Sequence, residues 1–509
     1  MSTRPSDKIK PIDEQAKLLA SLRTGKKVVH CHGVFDLLHI GHIRHFQQAK
    51  KFGDILVVTV TPDRYVNKGP HRPVFGEDLR AEAIASLDCV DYVSINKWPL
   101  AVEAIKLLRP DFYAKGSDYK KAEEDFTGGI SQEEAAVKSL GGQIVFTDDI
   151  TFSSSSIINR NLPVFSEEVR KYLANFSAKY RAKDVLQYLN NTQSLKVLVI
   201  GETIIDEYQY CRTMGKSGKE PILAARFVDS EKFAGGILAV ANQVAVFCDQ
   251  VSMLTFLGAK DSQKDFICQN LDTKIDSTFL CMENAPTIVK RRFLEIYPFQ
   301  KLFEIYVMAE DDDNAAQSQA FCTKLKELLP AYDVVVVTDY GHGMLGPEAI
   351  DILCSQAKFL AVNTQVNAGN HGFNTISKYP RADFVSVSET EIRLDARSRL
   401  KDLNDIVRSA AERLHCAKVL ITRGRYGCLC YDKEEGFFEV PAFVSQTVDR
   451  IGAGDALFAV TALCVAQKAP IEVVGFIGNA VGAQAVGIVG HRTQVERVPL
   501  FKHIESLLK

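Results

Sequence analysis

Two stretches of this chain open in the same way, and that repetition constrains the fold more than any other feature. Residues 26–36, KKVVHCHGVFD, and residues 194–206, SLKVLVIGETIID, each pass from an apolar run through a glycine turn towards a helical pattern. Unbroken Val/Ile/Leu runs suit strands that are covered on both faces. Five further runs fit: DILVVTV (54–60), YDVVVVTDY (332–340), FLAVNT (359–364), DFVSVS (383–388) and KVLITRG (418–424). Amphipathic stretches such as EDLRAEAIASL (77–87) and LNDIVRSAAERLH (403–415) lie between them. Strand and helix therefore alternate, which predicts an α/β chain with two doubly wound parallel-sheet domains.

The segment between the two openings, 166–191, is charged, helical in period, and holds neither Gly nor Pro. It reads as a helical linker with Ser166 as N-cap and Glu167 and Glu168 in the first turn. The expected divisions are an N-terminal extension at 1–26 carrying a short helix, a first domain at 27–162, the linker at 163–194 and a second domain at 195–509. With 509 residues, each half is long enough to bury a core.

Charge excludes several functions. Lys and Arg number 61 against 63 Asp and Glu, a net charge of -2, which gives no footprint for nucleic acid or a membrane surface. No apolar run of about 18 residues is present, and the polar start MSTRPSDKIKPIDEQAK lacks a signal-peptide core. A cytoplasmic location is expected. The 12 cysteines are scattered, and the Cys428/Cys430 spacing is no metal pattern, so reduced buried thiols are expected.

In GVFDLLHIGHIRHF, His39 and His42 flank Gly41 where a helix follows a strand. Helix N-termini favour phosphate, and a glycine lets it approach the backbone. Such a site can stabilise charge on an α-phosphate during nucleotidyl transfer. Three more segments suit phosphate: KGSDYK (115–120), the serine cluster TFSSSSIINR (151–160), and RPVFGEDLRAEAI (72–84) with Arg72 and Arg80. Residues 28–160 thereby resemble the cytidylyltransferase-like nucleotidyltransferases, a Rossmann-like fold. That resemblance implies catalytic His39 and His42. It implies nucleotide contacts from Gly33, Phe35, Asp36, Gly41, Lys68, Arg72, Arg80, Gly116, Asp118 and Ser153, Ser154, Ser155 and Ser156.

The second set is TVDRIGAGDALFAVTAL, 447–463. Gly452, Ala453 and Gly454 leave backbone N–H groups free for an anion at a helix start. Asp455, beside them, can take a proton from a substrate hydroxyl while the amides hold a γ-phosphoryl. Residues 195–498 resemble the ribokinase-like sugar kinases, through FAGGILAVANQVA (233–245), Asp206 at the end of the first strand, the Thr422–Gly427 turn and this GAGD. The resemblance implies Asp455 as base, with Gly452, Ala453, Gly454, Thr422, Gly424, Gly427, Asn479 and Glu391 at the nucleotide. It implies sugar contacts from Asp206, Gly235, Gly236, Asn242, Lys290, Arg292 and Asp339, and a small β lid. Mg²⁺ would arrive with ATP near Glu391, with no protein-only metal site.

GETIIDEY, GKSGKEPILAARF, PTIVKRRF and VTDYGHGML echo the heptose-7-phosphate kinase half of bifunctional ADP-heptose synthases, although those carry the kinase first. Two positions depart from the pattern. Ser388 stands where the family's NxxE motif has Asn, and Glu304 stands where a basic residue is expected. The implied activity is sugar phosphorylation followed by nucleotide attachment, of ADP-heptose type, using ATP and a second triphosphate, ATP or CTP. Partners would be sugar phosphates and nucleoside triphosphates, in a homodimer. Two alternatives stay open: CDP- or other activation of a different sugar or polyol, and a domain that binds without turnover.

Overall fold

The computed structural model describes residues 4–66, 72–116, 129–147, 165–309, 315–444 and 447–509. Contacts divide it into two compact units. One is Met1–Ser177 with Val498–Lys509, and the other is Ala178–Arg497. The last helix, Arg497–Leu507, buries Leu500, Phe501, Ile504 and Leu507, and the chain's final twelve residues, Val498–Lys509, group with the first unit. The sequence expectation had left them with the second domain. Nothing local marks where a C-terminal amphipathic helix docks.

In the first unit, β1 (Val28–Gly33), β2 (Ile55–Val60), β3 (Tyr92–Ile95), β4 (Phe112–Gly116) and β5 (Gln143–Thr147) form a parallel sheet in the order β3-β2-β1-β4-β5. Val28, Val29, Leu56, Val57, Val58 and Val60 are solvent-free, as their unbroken apolar runs require. The strand order reverses between β1 and β4, which makes the carboxyl ends of those strands the binding crevice of a doubly wound sheet. The N-terminal extension holds two helices, Pro5–Lys8 and Ile12–Leu22, and the second buries Ile12 and Leu19.

The expected linker helix is two helices, Glu167–Lys179 and Ala182–Asn191. Ser166 Oγ accepts from Val169 N at 3.3 Å, as a cap does. The break falls at Arg181, whose ψ of 149° is extended, with its side chain paired to Asp184. Each helix buries its own stripe, Val169, Leu173 and Phe176 in one and Val185, Leu186 and Leu189 in the other. A single straight helix cannot aim both stripes freely. Tertiary packing overrode a locally continuous helical pattern.

The second unit contains β6 (Lys196–Gly201), β7 (Thr203–Lys216), β8 (Leu223–Gly236), β9 (Gln250–Lys260), β10 (Ile275–Pro286), β11 (Ile288–Glu295), β12 (Gln300–Val307), β13 (Val334–Asp339), β14 (Leu360–Thr364), β15 (Phe384–Ser388), β16 (Lys418–Thr422), β17 (Cys428–Asp432) and β18 (Gly436–Val440). Nine strands make the main sheet, in the order β10-β9-β6-β13-β14-β15-β16-β17-β18, parallel up to β16 and antiparallel at that edge. The other four form a separate sheet, β12-β11-β7-β8, the lid implied by the resemblance. The helices Ala453–Ala466 and Ile471–Ala485 are apolar nearly all round and are buried, as such helices must be. All twelve cysteines are free thiols, and Cys428 and Cys430 lie with their sulfurs 3.7 Å apart in the core.

Candidate functional site

In the first unit, His39 caps the helix Ile40–Lys50, with Nδ1 accepting from Gly41 N at 3.1 Å. An accepting Nδ1 fixes the neutral tautomer with its proton on Nε2. Burial pushes the His39 pKa down, which keeps the ring neutral. Its Nε2 is buried and has no partner among the described residues. The ring stacks on His42, with centroids 3.9 Å apart. The Phe35 ring meets His42 edge-on at 5.2 Å. Gly33 makes room for Phe35, since a Cβ on Gly33 would lie 2.9 Å from that ring. Phe35 itself sits at φ 49°, a left-handed conformation uncommon outside glycine. Gly33 thus makes room for Phe35, which packs against His42.

Asp36 and Arg80, expected as nucleotide ligands, are internal braces. Asp36 is buried, with Oδ1 accepting from Val74 N at 2.6 Å and Phe75 N at 3.2 Å, and Oδ2 pairing with Arg72 at 3.3 Å. It ties the 72–75 loop to the strand end. Arg80 is buried and donates to the carbonyls of Phe75 (2.9 Å), Val34 (2.5 Å) and Thr61 (2.8 Å) and to Asp63. Its donors face inward because the helix Glu77–Ala85 packs that face against the strand ends. Arg80→Met would leave the buried Thr61 carbonyl and the part-buried Val34 and Phe75 carbonyls without these donors, at about 1–3 kcal/mol for a buried group left bare. Urea unfolding of the first unit should show the midpoint falling sharply; an unchanged midpoint would mean the arginine is free to serve a ligand.

Gly116 ends β4 beside this crevice, and a Cβ there would meet open space. Beneath it, Lys115 pairs with buried Glu133 at 2.8 Å. His30 and His32, on one face of β1, both bond Thr59 Oγ1, at 2.7 and 2.8 Å, and burial pushes each to about 3. They are neutral core histidines. Lys68, Asp118 and Ser153, Ser154, Ser155 and Ser156 lie outside the described residues.

In the second unit, Asp455 lies in the first turn of the helix Ala453–Ala466, one turn after Gly452, whose φ is 79°. The N–H groups of Gly454 and Asp455 have no partner within the helix. The space beside Gly454 is open. Asp455 is buried, and two donors reach the same oxygen: Tyr340 Oη at 3.1 Å and Gln365 Nε2 at 2.7 Å, both to Oδ1. No described residue donates to Oδ2. Burial raises the Asp455 pKa above the ordinary value, against the opposing pull of His491 and Tyr340.

Asp206 is held differently. Burial works against its charge, but Arg292 and His491 overcome that and keep the carboxyl below the ordinary range. Arg292 bonds Oδ1, and His491 Nε2 lies 3.4 Å from Oδ2. Gly235 passes so close that a Cβ would fall 2.1 Å from Oδ2, and Gly236 follows at φ 56°. His491 also fills the space over Gly452, where a Cβ would lie 2.2 Å from its ring. This one histidine joins the Gly452 turn to Asp206, and no motif in the sequence pointed to it. Glu202, whose carboxylate accepts from Tyr340 N at 2.9 Å and His342 N at 3.0 Å, was likewise missed. So were Tyr340 and Gln365, whose roles depend on β13 and β14 lying side by side.

Several expected ligands are committed elsewhere. Asn242 donates to Asn270 O (2.9 Å) and accepts from Asp272 N (2.9 Å), so it holds a turn and does not face the sugar site. Asn479 donates to Val440 O (3.0 Å) and Cys428 Sγ, bracing β17 and β18. Gly427, φ 81°, has Val440 O only 2.0 Å from where its Cβ would stand, so it is a packing glycine; Thr422 and Gly424 bound the same turn. Asp339 accepts from Tyr379 Oη (2.7 Å) and Gly341 N (3.1 Å) and pairs with Lys378, so it stiffens the loop after β13.

The two departures also have structural roles. Ser388 and Glu391 form a reciprocal capping box: Ser388 Oγ accepts from Glu391 N at 3.2 Å, and Glu391 Oε2 from Ser388 N at 2.7 Å. Glu391 Oε1 accepts from Val366 N at 3.1 Å. Serine serves here because a hydroxyl caps a helix as well as an amide does. Glu304 lies 3.1 Å from Arg292 Nε, so Arg292 is clamped between two carboxylates. Lys290 is buried over the rings of Tyr306 (5.0 Å) and Tyr340 (5.9 Å), and burial pushes its pKa down.

A lidded, doubly wound α/β core with an aspartate at the head of an anion-binding helix defines a phosphotransferase class, here joined to a second doubly wound unit whose histidines face a strand crossover. The chain belongs to the pfkB family of carbohydrate kinases, whose model matches residues 194–497, about three fifths of the chain. The cytidylyltransferase-like model matches residues 30–161. Relatives named bifunctional protein HldE include one from Geobacter sulfurreducens, 36% identical over 167 residues, and one from Aliarcobacter butzleri, 40% identical over 139 residues. These matches cover 32% and 26% of this chain, and only 32% and 29% of those proteins. Among solved structures, Escherichia coli phosphofructokinase-2 in complex with potassium aligns over 62% of this chain and all of that one, at 16% identity and a TM-score of 0.51. That likeness shows the fold. No helix among the described residues is long and apolar enough to cross a membrane.

Proposed function

We propose that the chain is a bifunctional transferase that makes a nucleotide-activated sugar. The second unit phosphorylates a sugar with ATP at its anomeric hydroxyl, and the first joins the sugar 1-phosphate to a nucleoside triphosphate and releases pyrophosphate. The observation that carries this reading is Asp455. Its Oδ1 is held by Tyr340 and Gln365, and no described residue donates to its Oδ2. Oδ2 is placed to take the hydroxyl proton as the acceptor oxygen bonds the γ-phosphorus. The bond to the β-phosphate oxygen breaks and ADP leaves, with charge balanced at the helix amides.

Magnesium fits this site through water. Each Glu391 oxygen accepts one backbone N–H and keeps a lone pair for the hydration shell of a metal carried by ATP, and no group of three or more candidate ligands exists among the described residues. The metal would supply charge neutralisation at the phosphates. In the first unit, no enzyme nucleophile is required. The unpartnered Nε2–H of His39 would donate to the α-phosphate oxygens, where negative charge builds, and His42 stacks to hold the ring. Joining consecutive steps in one chain raises the local concentration of the intermediate.

The HldE relatives favour an ADP-heptose-type product. The Arg292 clamp favours a second reading, in which another sugar is activated with ATP or CTP, because a guanidinium held by two carboxylates has little charge left for a substrate phosphate. A cytoplasmic homodimer is part of the proposal. Mass spectrometry of a reaction holding Mg-ATP, CTP and a sugar panel, including D-glycero-D-manno-heptose 7-phosphate, tests it. A nucleotide-linked sugar is expected, formed also when sugar 1-phosphate replaces the free sugar beside the triphosphates. Failure of both half-reactions with every sugar would overturn the proposal.

A further inference from the structure

A partly open chamber of about 340 Å³ lies in the second unit, within the range of roughly 300–1,000 Å³ common for small-ligand sites. Most of its side-chain wall is apolar: Phe256, Met282, Met308, Met344, Pro286 and Ile288. Among the described residues, no Lys or Arg lines it. Its polar members are nearly all satisfied within the protein. Thr203 bonds Thr255 at 2.9 Å, Thr287 donates to Ser262 O at 2.9 Å, and both Glu202 oxygens accept backbone N–H groups. The exception is His342, whose ring nitrogens are both buried and without a partner among the described residues. Burial, then the nearby Lys290 charge, pushes His342 down to about 4, so it is a neutral ring with one donor and one acceptor.

The chamber adjoins the reaction centre through a single tripeptide. Gly341 and His342 form part of its wall, while the hydroxyl of the preceding residue, Tyr340, bonds the Asp455 base. Residues 340–342 thus run from a contact with the base to the chamber wall. Glu202 and Thr203 line the chamber at the start of the strand that carries Asp206 three residues on.

Resting on the kinase reading above, we propose that the chamber receives the end of the acceptor sugar remote from the phosphorylated hydroxyl, and that this end is uncharged and partly apolar, a deoxy or alkyl-bearing carbon beside one hydroxyl, and not a phosphate. The wall offers a phosphate no cation. The basic side chains nearest the reaction centre are already engaged, Arg292 by Asp206 and Glu304, and Lys290 over two aromatic rings. A phosphate placed there would lose its water without gaining an ion pair. An alkyl or deoxy carbon instead meets thioether and aromatic surface, and one hydroxyl satisfies His342.

The test uses the full chain, Mg-ATP, and hexoses of the gluco, manno and galacto series, each as the free sugar, the 6-deoxy sugar and the 6-phosphate, with ADP release as readout. In the series that turns over, the 6-deoxy sugar is expected to exceed the 6-phosphate by at least about 30-fold in kcat/KM. Two variants narrow the chamber: Ala285→Phe in its wall, and Ser318→Trp on an exposed helical rim position, where folding is little affected. Each should raise the KM for the 6-deoxy sugar about tenfold and change kcat less than threefold, with transferase activity on supplied sugar 1-phosphate unchanged. A 6-phosphate or heptose 7-phosphate that is preferred, or chamber variants that leave KM unaltered while the kinase works, would overturn the chamber assignment alone. No phosphorylation of any sugar would overturn the kinase reading and the assignment with it.

Discussion

Asp455→Asn is expected to lower phosphoryl transfer about 10³-fold, within the roughly 10²- to 10⁴-fold span of positioned acid–base groups. Asn preserves an oxygen for the Tyr340 and Gln365 donors, so the packing around it survives. The assay is ADP release with a sugar acceptor, and the internal control is the transferase acting on supplied sugar 1-phosphate, which should be unaffected. Stability gives a second control. Burial raises the folded pKa of Asp455 above its unfolded value. Stability from the protonated form is therefore present at low pH and lost as pH rises through the folded pKa. The Asn variant should thus be at least as stable as the parent at neutral pH. The catalytic form is the carboxylate, so kcat/KM should rise with pH along a limb displaced above that of an ordinary aspartate. A rate within threefold of the parent would remove Asp455 from the role of base.

His39→Asn and His42→Ala are expected to lower nucleotidyl transfer about 10²- to 10³-fold, the range for loss of one preorganised donor at a developing negative charge. The kinase should be untouched by either. The asparagine is chosen because its side-chain oxygen can still accept from Gly41 N and cap the helix. A loss with His39→Asn then reports the missing Nε2–H, since capping is retained. His42→Ala removes the stacking partner that holds His39, so its effect should appear mainly in kcat. The readout is pyrophosphate release with sugar 1-phosphate and either ATP or CTP. Equal rates for the parent and both variants would place the transfer chemistry elsewhere in the crevice.

Much of this architecture was legible in the amino-acid order. Each strand proposed from an apolar run is present, from Ile55–Val60 to Lys418–Thr422, because strands buried on both faces must be apolar throughout. The histidine pair and the glycine turn before Asp455 were legible for a related reason: helix N-termini that bind anions are made by residues adjacent in sequence. Ser388 and Glu391 were visible as a departure from the family pattern, and their capping box is also a local, three-residue device.

What sequence could not show is which side chains face a ligand and which face the protein. Arg80, Asp36, Asn242, Asn479 and Asp339 have the chemistry of ligand residues, yet their partners are carbonyls, amides or hydroxyls from distant segments. Glu202, Tyr340, Gln365 and His491 carry much of the kinase site's geometry and lie on four separate segments. Only the adjacency of β6, β13 and β14 and the return of the chain at 491 bring them to Asp206 and Asp455. Sequence determined the two doubly wound units and the glycine turns at the helix starts, because apolar period and glycine placement are local properties. Tertiary structure decided the break in the linker, the docking of the last helix and the clamp on Arg292, because burial and ion pairing depend on what packs opposite, and nothing in the neighbouring residues encodes it.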